Sequence, residues 1–516
     1  MSIFGGSPGL AYPGSRMGPE TLDWPIVGSD PNDDWWQEAG SIASRSWHLW
    51  RANAYAVAMT RTMQEVTLGP TGLLPRSLFR GATQLDPSTD PDVVNETAKD
   101  VISQRSKIEK SLRYAWRGTR FDAIGALTKR EMSETMFLAC MVAGDAFAIR
   151  QWKPNRPGKQ YQATCWRIVD PARVSNPGFG PNNPNLFEGI KLDDDGCKVG
   201  IYVQRRNPYA IQNVDFTWDL IPWHATDGSL NVVHLKAPGR PDQIRGIGWF
   251  APVMAMVHQL GQVTDAFVVA KRVQACIGYI ETSPNQVASA AAQTNGATSR
   301  SPTGATNARL YPGMRLVVPM GTTITPLNWN FQGDDHSGFQ DSMLQAICAA
   351  WAMPMEFVQH RLTKTNMAAA RAALMQAYKT ATCGQEMMIG AVETPWAESV
   401  LLEDDARGRI SLPVGDMDDA MALRWNRPAQ QYPDPVKEAT AAEKLQALGK
   451  SPSSLAAQRG DDFESEILQS AQDKAFAAIY GVTISPPDAA PVAIVPDPDA
   501  AQEPQEDPAI PDEVEQ

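Results

Sequence analysis

Few residues of this chain stand where chemistry would need them. Gly449-Lys450-Ser451 has the ending of a phosphate-cradling loop, but Lys444 occupies the place of the first glycine in G-x-x-x-x-G-K-[ST], so the tight turn around a nucleotide is lost. Asp193-Asp194-Asp195-Gly196 is acidic enough for a cation. No glutamate closes a twelve-residue calcium loop, however, and Ile190-Lys191-Leu192 and Val199 to Val203 flank the run as strands of a hairpin. Asp334-Asp335-His336 reads as acidic residues suited to a helix start rather than as metal ligands. The histidines, His48, His224, His234, His258, His336 and His360, are at least ten residues apart, and neither H-E-x-x-H nor G-x-S-x-G occurs. We expect no catalytic residue, no cofactor and no metal.

The six cysteines, Cys140, Cys165, Cys197, Cys276, Cys348 and Cys383, lack any C-x-x-C or nearby histidine and read as buried free thiols of a reducing compartment. The fifteen tryptophans, concentrated in the first half, suit core packing and subunit interfaces better than stacking on paired bases.

The elements that would position anything are helices. Phe250, Val253, Val257, Leu260, Thr264, Phe267 and Val268 recur at spacings of three and four, which predicts a helix from about Ile247 to Cys276 with one apolar face. Small polar residues from Ser283 to Asn307 predict a loop, since they bury too little to offset the entropy of ordering. Leu316-Val317-Val318-Pro319 and Thr322 to Leu327 predict two short strands around Met320-Gly321. Phe339, Met343, Ile347 and Ala350 resume helical spacing until Pro354. A polar stretch, His360 to Thr365, then leads to Asn366, an N-cap for an alanine-rich helix from Met367 to Thr380. Periodicity alone favours two core helices of a large enzyme carrying a surface loop.

Composition sets outer bounds. With 516 residues, 43% hydrophobic, the chain can hold a sizeable core in two to four domains. No apolar run of about 18 residues predicts a membrane span, and Met1 to Gly40 lacks the pattern of a secretory signal. The net charge is −12, but Ser485 to Gln516 holds nine acidic residues, eight prolines and no Lys or Arg, which leaves −3 for the remainder. That tail reads as a solvated disordered end or a docking peptide. A near-neutral body argues against strong phosphate binding.

The order of further landmarks resembles the tailed-phage portal proteins of the lambda-like group, from about residue 40 to 480. Arg45 to Asn53 (RSWHLWRAN), Val66 to Leu73, Trp116, Phe121-Asp122 and Gly125 begin the series. Val142-Ala143-Gly144-Asp145-Ala146-Phe147 resembles a Gly-Glu-Ala-Phe element with Asp for Glu; Trp166 to Pro171 and Glu188-Gly189-Ile190 continue it. Val233-His234-Leu235 with Arg240-Pro241-Asp242-Gln243-Ile244-Arg245-Gly246 is close to an Ile-x-His strand and an Arg-Pro-Gly-Gln-x-Arg-Gly turn, Asp242 replacing a glycine. Tyr311-Pro312-Gly313, Trp425, Pro428, Tyr432, Asp434 and Lys437 to Ala442 close the series.

The resemblance implies an α/β (mixed α+β) subunit of a homo-oligomeric, typically dodecameric ring at one capsid vertex. Through it double-stranded DNA would be packaged and ejected without sequence preference, and the subunit would itself be no enzyme. It implies a flexible N-terminal arm (1–40), an α/β wing (41–245), a stem helix (246–276), a clip with a mobile polar loop (277–335), a returning stem helix (336–356), a tunnel loop with its following helix (357–390), a helical wing/crown region (391–480) and the acidic tail (481–516). Arg361, Lys364, Thr365 and Asn366 would face DNA. Phe250, Val253, Val257, Leu260, Phe267, Phe339, Met343 and Ile347 would meet neighbouring subunits. The implied partners are the terminase large subunit, major capsid and scaffold proteins, and head-completion or adaptor proteins; the implied location is the virion, after assembly in the bacterial host cytoplasm. The alternatives are a capsid-associated nuclease or maturation protease, and a non-ring adaptor or scaffold.

Overall fold

The computed structural model describes residues 28–79, 91–155, 162–208, 215–237, 239–283, 299–300, 306–307, 314–319, 336–360, 367–412, 421–428 and short helical pieces between 440 and 474. The chain divides into two compact units, residues 1–84 with 103–433 and residues 85–102 with 434–516. Both of the larger sheets belong to the first unit.

Helix α1 (Pro31–Ala52) starts where Asp30 accepts a 2.8 Å hydrogen bond from the Asn32 N–H, with Pro31 in the first turn and Asp33 and Asp34 beside the positive helix end. Residues 31–40 are thus helical and hold the buried Trp35, which corrects the expectation of an arm reaching to residue 40. Asn53 ends α1 and caps α2 (Ala54–Leu68) by accepting from the Tyr55 and Ala56 N–H groups. After β1 (Leu74–Ser77) and α3 (Pro91–Ala115), α4 (Lys129–Ala143) opens on a reciprocal Thr128/Glu131 capping box and stops at Gly144 in the left-handed region.

Strand β2 (Asp145–Trp152) follows at once and lies antiparallel between β3 (Thr164–Val169) and β8 (Val232–Lys236). A second antiparallel sheet has the order β4 (Leu186–Phe187), β5 (Ile190–Leu192), β6 (Lys198–Gln204) and β7 (Trp218–Pro222). Phe147, Ile149 and Val232 of the first sheet and Ile190, Ile201 and Val203 of the second share one apolar core. The expected hairpin is β5/β6, and its acidic turn is used locally: the Asp193 carboxylate accepts from the Asp195 and Cys197 N–H groups.

Helix α5 (Met254–Cys276) begins seven residues later than expected, after turns at Gly248 to Val253. Pro252 lacks a donor and the Trp249 N–H is spent on the Met141 carbonyl at 2.8 Å, so the chain here is tied to the body before it coils. Its 23 residues reach about 35 Å at ~1.5 Å per residue. Strand β9 (Ile277–Ser283) follows, then the short pair β10 (Ser299–Arg300) and β11 (Thr306–Asn307), and β12 (Met314–Pro319). The described partner of β12 is β9, in parallel register. Residues 322–327, expected as its hairpin mate, lie outside the described residues, as do 1–27 and 481–516. Helix α6 (His336–Ala350) ends ahead of Pro354, α7 (Met355–Gln359) is one turn, and α8 (Met367–Met388) outlasts the expected Thr380. A π-turn (Ile389–Glu393) joins α8 to α9 (Thr394–Ala406), and β13 (Leu423–Asn426) pairs antiparallel with β1. The architecture is mixed helix and sheet. Among the described residues no helix is long and apolar enough to cross a membrane.

Two glycines make the junction of α4 and β2 possible. Gly144, at φ +95°, presses against Gly246; a Cβ on Gly144 would lie 2.6 Å from the Gly246 backbone, and one on Gly246 would strike the Gly144 carbonyl. Gly144→Ala and Gly246→Ala should each cost on the order of 2–4 kcal/mol in chemical denaturation. Gly40→Ala, inside α1 with open space around it, should instead raise stability by about 0.5–1 kcal/mol. Equal effects at all three positions would contradict the close approach.

Candidate functional site

Beyond that glycine contact lies a buried charge cluster. Asp145, at the first position of β2, has a side chain only 1% exposed. Its Oδ1 accepts from the Gly246 N–H at 2.7 Å and from His234 Nε2 at 2.9 Å, while Arg245 Nε donates to Oδ2. Lys198 Nζ donates to the other ring nitrogen of His234 at 2.9 Å, which leaves the proton on Nε2 and an orientation suited to Asp145. His234 sits on β8, in register with Phe147, and stacks on that ring with centroids 4.4 Å apart.

The Arg245 guanidinium is shared further. It donates to the carbonyls of Val174 (3.2 Å), Glu188 (2.9 Å) and Pro171 (3.4 Å), and lies over the rings of Trp35 and Phe147 at 5.1 Å. Landmarks scattered over more than a hundred residues, Gly144-Asp145, Asp170-Pro171, Glu188-Gly189, His234 and Arg245-Gly246, therefore wall one site. Helix α1 joins it: Trp35 Nε1 donates to the Gly246 carbonyl at 2.6 Å, Asn32 brackets the turn through the Asp242 carbonyl and the Ile244 N–H, and Arg240 pairs with Asp34 at 2.9 Å. Asp242 holds a left-handed φ of 63°, which explains why a glycine suits that position in the resembling turn.

The electrostatics follow from burial. Desolvation alone would raise the Asp145 pKa, but Arg245 and His234 outweigh it and hold the carboxyl down at about 2. Burial depresses His234 to about 4 despite Asp145, so it is neutral at pH 7. Burial, with Lys236 nearby, lowers Lys198 to about 8, which still leaves an ammonium to donate. This constellation fixes geometry. It has no open reacting position, and among the described residues no group of three or more His, Cys, Asp or Glu is arranged for a metal. Sequence reasoning misses Asp145, Arg245, Lys198 and Trp35 as site residues; the Asp and Arg lie inside the resembling motifs, while Lys198 carries no signal.

The residues expected at subunit contacts divide in two. Phe250, Val253, Val257, Leu260 and Ile347 are buried within this chain, at 0–4% exposure, with Phe250 and Trp249 packed on Trp351 at 4.8 and 5.5 Å. Periodicity shows that the row is covered but not by what, so the expectation that these five meet a second copy is corrected. Farther along, cover is thinner: Phe267 is half-buried beside Lys271 and Val268 and Val269 are 41% and 56% exposed, although Ala270 is buried at 7%. Helix α6 packs against α5, Gln340 donating to Thr264 at 3.0 Å, and repeats the gradient from Ile347, at 0%, through half-buried Met343 to Phe339, at 51%. Arg361, Lys364, Thr365 and Asn366 lie outside the described residues.

Asp145→Asn should cost about 3–5 kcal/mol, because Arg245 would keep its burial and lose its counter-charge. The pH dependence has a definite sign. His234 is depressed from 6.5 to about 4, so its contribution is complete above 6.5 and is lost as pH falls through 4. Thermal midpoints should decline from pH 6.5 to 4, and His234→Gln should flatten that decline; an unchanged slope would remove His234 as its source.

A family model described as phage portal protein, lambda family, matches residues 17–385. Portal protein B of Escherichia phage lambda is 27% identical over 117 residues, 23% of this chain and 21% of that protein. The portal protein of Escherichia phage N15 is 31% identical over 99 residues, 19% of this chain and 18% of that one. The aligned stretches thus span about a fifth of either relative's length. Among solved structures, a chain from "Neck of native GTA particle computed with C12 symmetry" superposes with a TM-score of 0.41 at 11% identity, over 81% of this chain and 93% of that chain. The family match alone covers well over half of the residues, and it takes in Asp145, His234 and Arg245 together with α5 and α6: this chain belongs to the lambda family of phage portal proteins.

Proposed function

We propose that this protein forms the ring-shaped channel at one capsid vertex through which double-stranded DNA is packaged and later ejected, and which connects head to tail. Membership of the portal family over residues 17–385 carries this reading. The exposed far halves of α5 and α6 support it, since Val268, Val269 and Phe339 need cover that the described residues do not give them. Heterologous contacts between identical copies close into a ring of about twelve when the rotation between neighbours fits.

In this reading 246–276 and 336–356 form the stem, 277–335 the clip that meets the terminase large subunit, and 357–366 the tunnel loop, with Arg361, Lys364, Thr365 and Asn366 toward DNA. The wing occupies 41–245, the crown region lies within 391–480, and the outer surfaces meet major capsid, scaffold and head-completion proteins. The role is mechanical rather than catalytic. Its place is the virion, after assembly in the bacterial cytoplasm.

Negative-stain electron microscopy of the purified full chain tests this reading directly. Rings of more than about ten copies are expected, and a monomer or dimer at all concentrations would overturn it. Phe267→Asp should abolish rings while leaving the monomer folded, because the charge would be desolvated only in the contact between copies. Rings of normal size from that variant would place the contact elsewhere.

A further inference from the structure

The segment Arg45 to Asn53 contributes nothing to the buried cluster beyond its helix, yet it presents a row of basic residues. Arg45, His48 and Arg51 are exposed at three-residue spacing on α1, a line of about 9 Å at ~1.5 Å rise per residue. The row ends at a cavity of about 470 Å³ lined by Arg51, Arg61 and His360, with Ala54, Val57 and Ala58 as its apolar floor and Glu65 as its one anion. His360, in a left-handed conformation at φ 50°, closes α7 immediately before residue 361. The N-terminal amides of α2 are not the attraction here, because Asn53 already accepts from Tyr55 and Ala56.

Arg45, Arg51 and Arg61 form no ion pair with a described residue. Some arginines elsewhere do: Arg76 with Glu109, Arg130 with Glu134, Arg205 with Asp219, Arg240 with Asp34. Arginines without an ion pair leading into a cavity match a string of regularly spaced anions better than a single carboxylate.

We propose that this cavity and the α1 row bind phosphate groups, and that their source is the backbone of duplex DNA. The inference rests on the channel reading for that source. Binding to the assembled full-length protein is measured by fluorescence anisotropy with a duplex of about 30 base pairs across about 50–200 mM NaCl. The double variant Arg51→Gln/Arg61→Gln should bind about tenfold more weakly, with a salt slope shallower by about 2, whereas Arg51→Lys/Arg61→Lys should keep the wild-type slope.

A parallel arm follows thermal stabilisation by inorganic phosphate. Loss of that response in the Gln variant with an unchanged DNA slope would overturn the duplex as source and leave a free-phosphate pocket. No change in either arm overturns the proposal. Micrographs of the same samples separate the two readings: absent rings with an intact phosphate response refute the channel, and intact rings with an unchanged salt slope refute duplex DNA as the occupant of this site.

Discussion

One carboxylate, that of Asp145, organises this structure. An anion with almost no exposure is tolerable only when every partner arrives, because the cost of desolvation is offset by Arg245, His234 and the Gly246 amide acting together. Those partners stand on β8 and on the turn after it, and the turn is itself gripped by α1 through Trp35 and Asn32. Two sheets and two helices are thereby brought to one register before any apolar packing between them is counted. A misregistered strand would strand a buried charge, so the cluster selects a single arrangement as well as stabilising it.

The helical pair beyond that turn inherits its position. Trp249 is hydrogen-bonded to the end of α4, and Phe250 and Trp249 pack on Trp351, so α5 leaves a rigid socket and α6 returns to the same place. The root of the pair belongs to the body of the chain, and its far half has exposed apolar surface. This division assigns different work to residues that look alike on a helical wheel.

Much of the fold is legible in the residues themselves. Spacings of three and four disclose α5 and α6, and the Asp193 turn discloses β5/β6, because local periodicity and turn chemistry act over a few residues. The start of α1 is written there too, in Asp30-Pro31 followed closely by two acids, although the resemblance places it in an arm. Other features cannot be read locally. Asp145 lies 89 residues from His234 and 100 from Arg245, so nothing nearby in the chain links them. The parallel pairing of β9 with β12 is likewise non-local. The apolar row from Phe250 to Val268 shows the limit most clearly: a periodic pattern reports that a face is covered, and only tertiary structure tells whether the cover comes from the chain itself or from elsewhere.

The fading burial along α5 bears on how copies would join. A helix anchored at its root and thinly covered at Phe267 to Val269 is less constrained there, and in the proposed ring the first neighbour to dock would offset the entropy of stiffening it. Each later arrival would meet a surface already stiffened on one side, so addition would grow more favourable as the circle fills, and the closing copy would gain two contacts for a single loss of tumbling freedom. In the proposed ring, partial arcs would therefore be the poorly populated species, and the gradient of side-chain cover along the helix pair would favour assembly close to all-or-none.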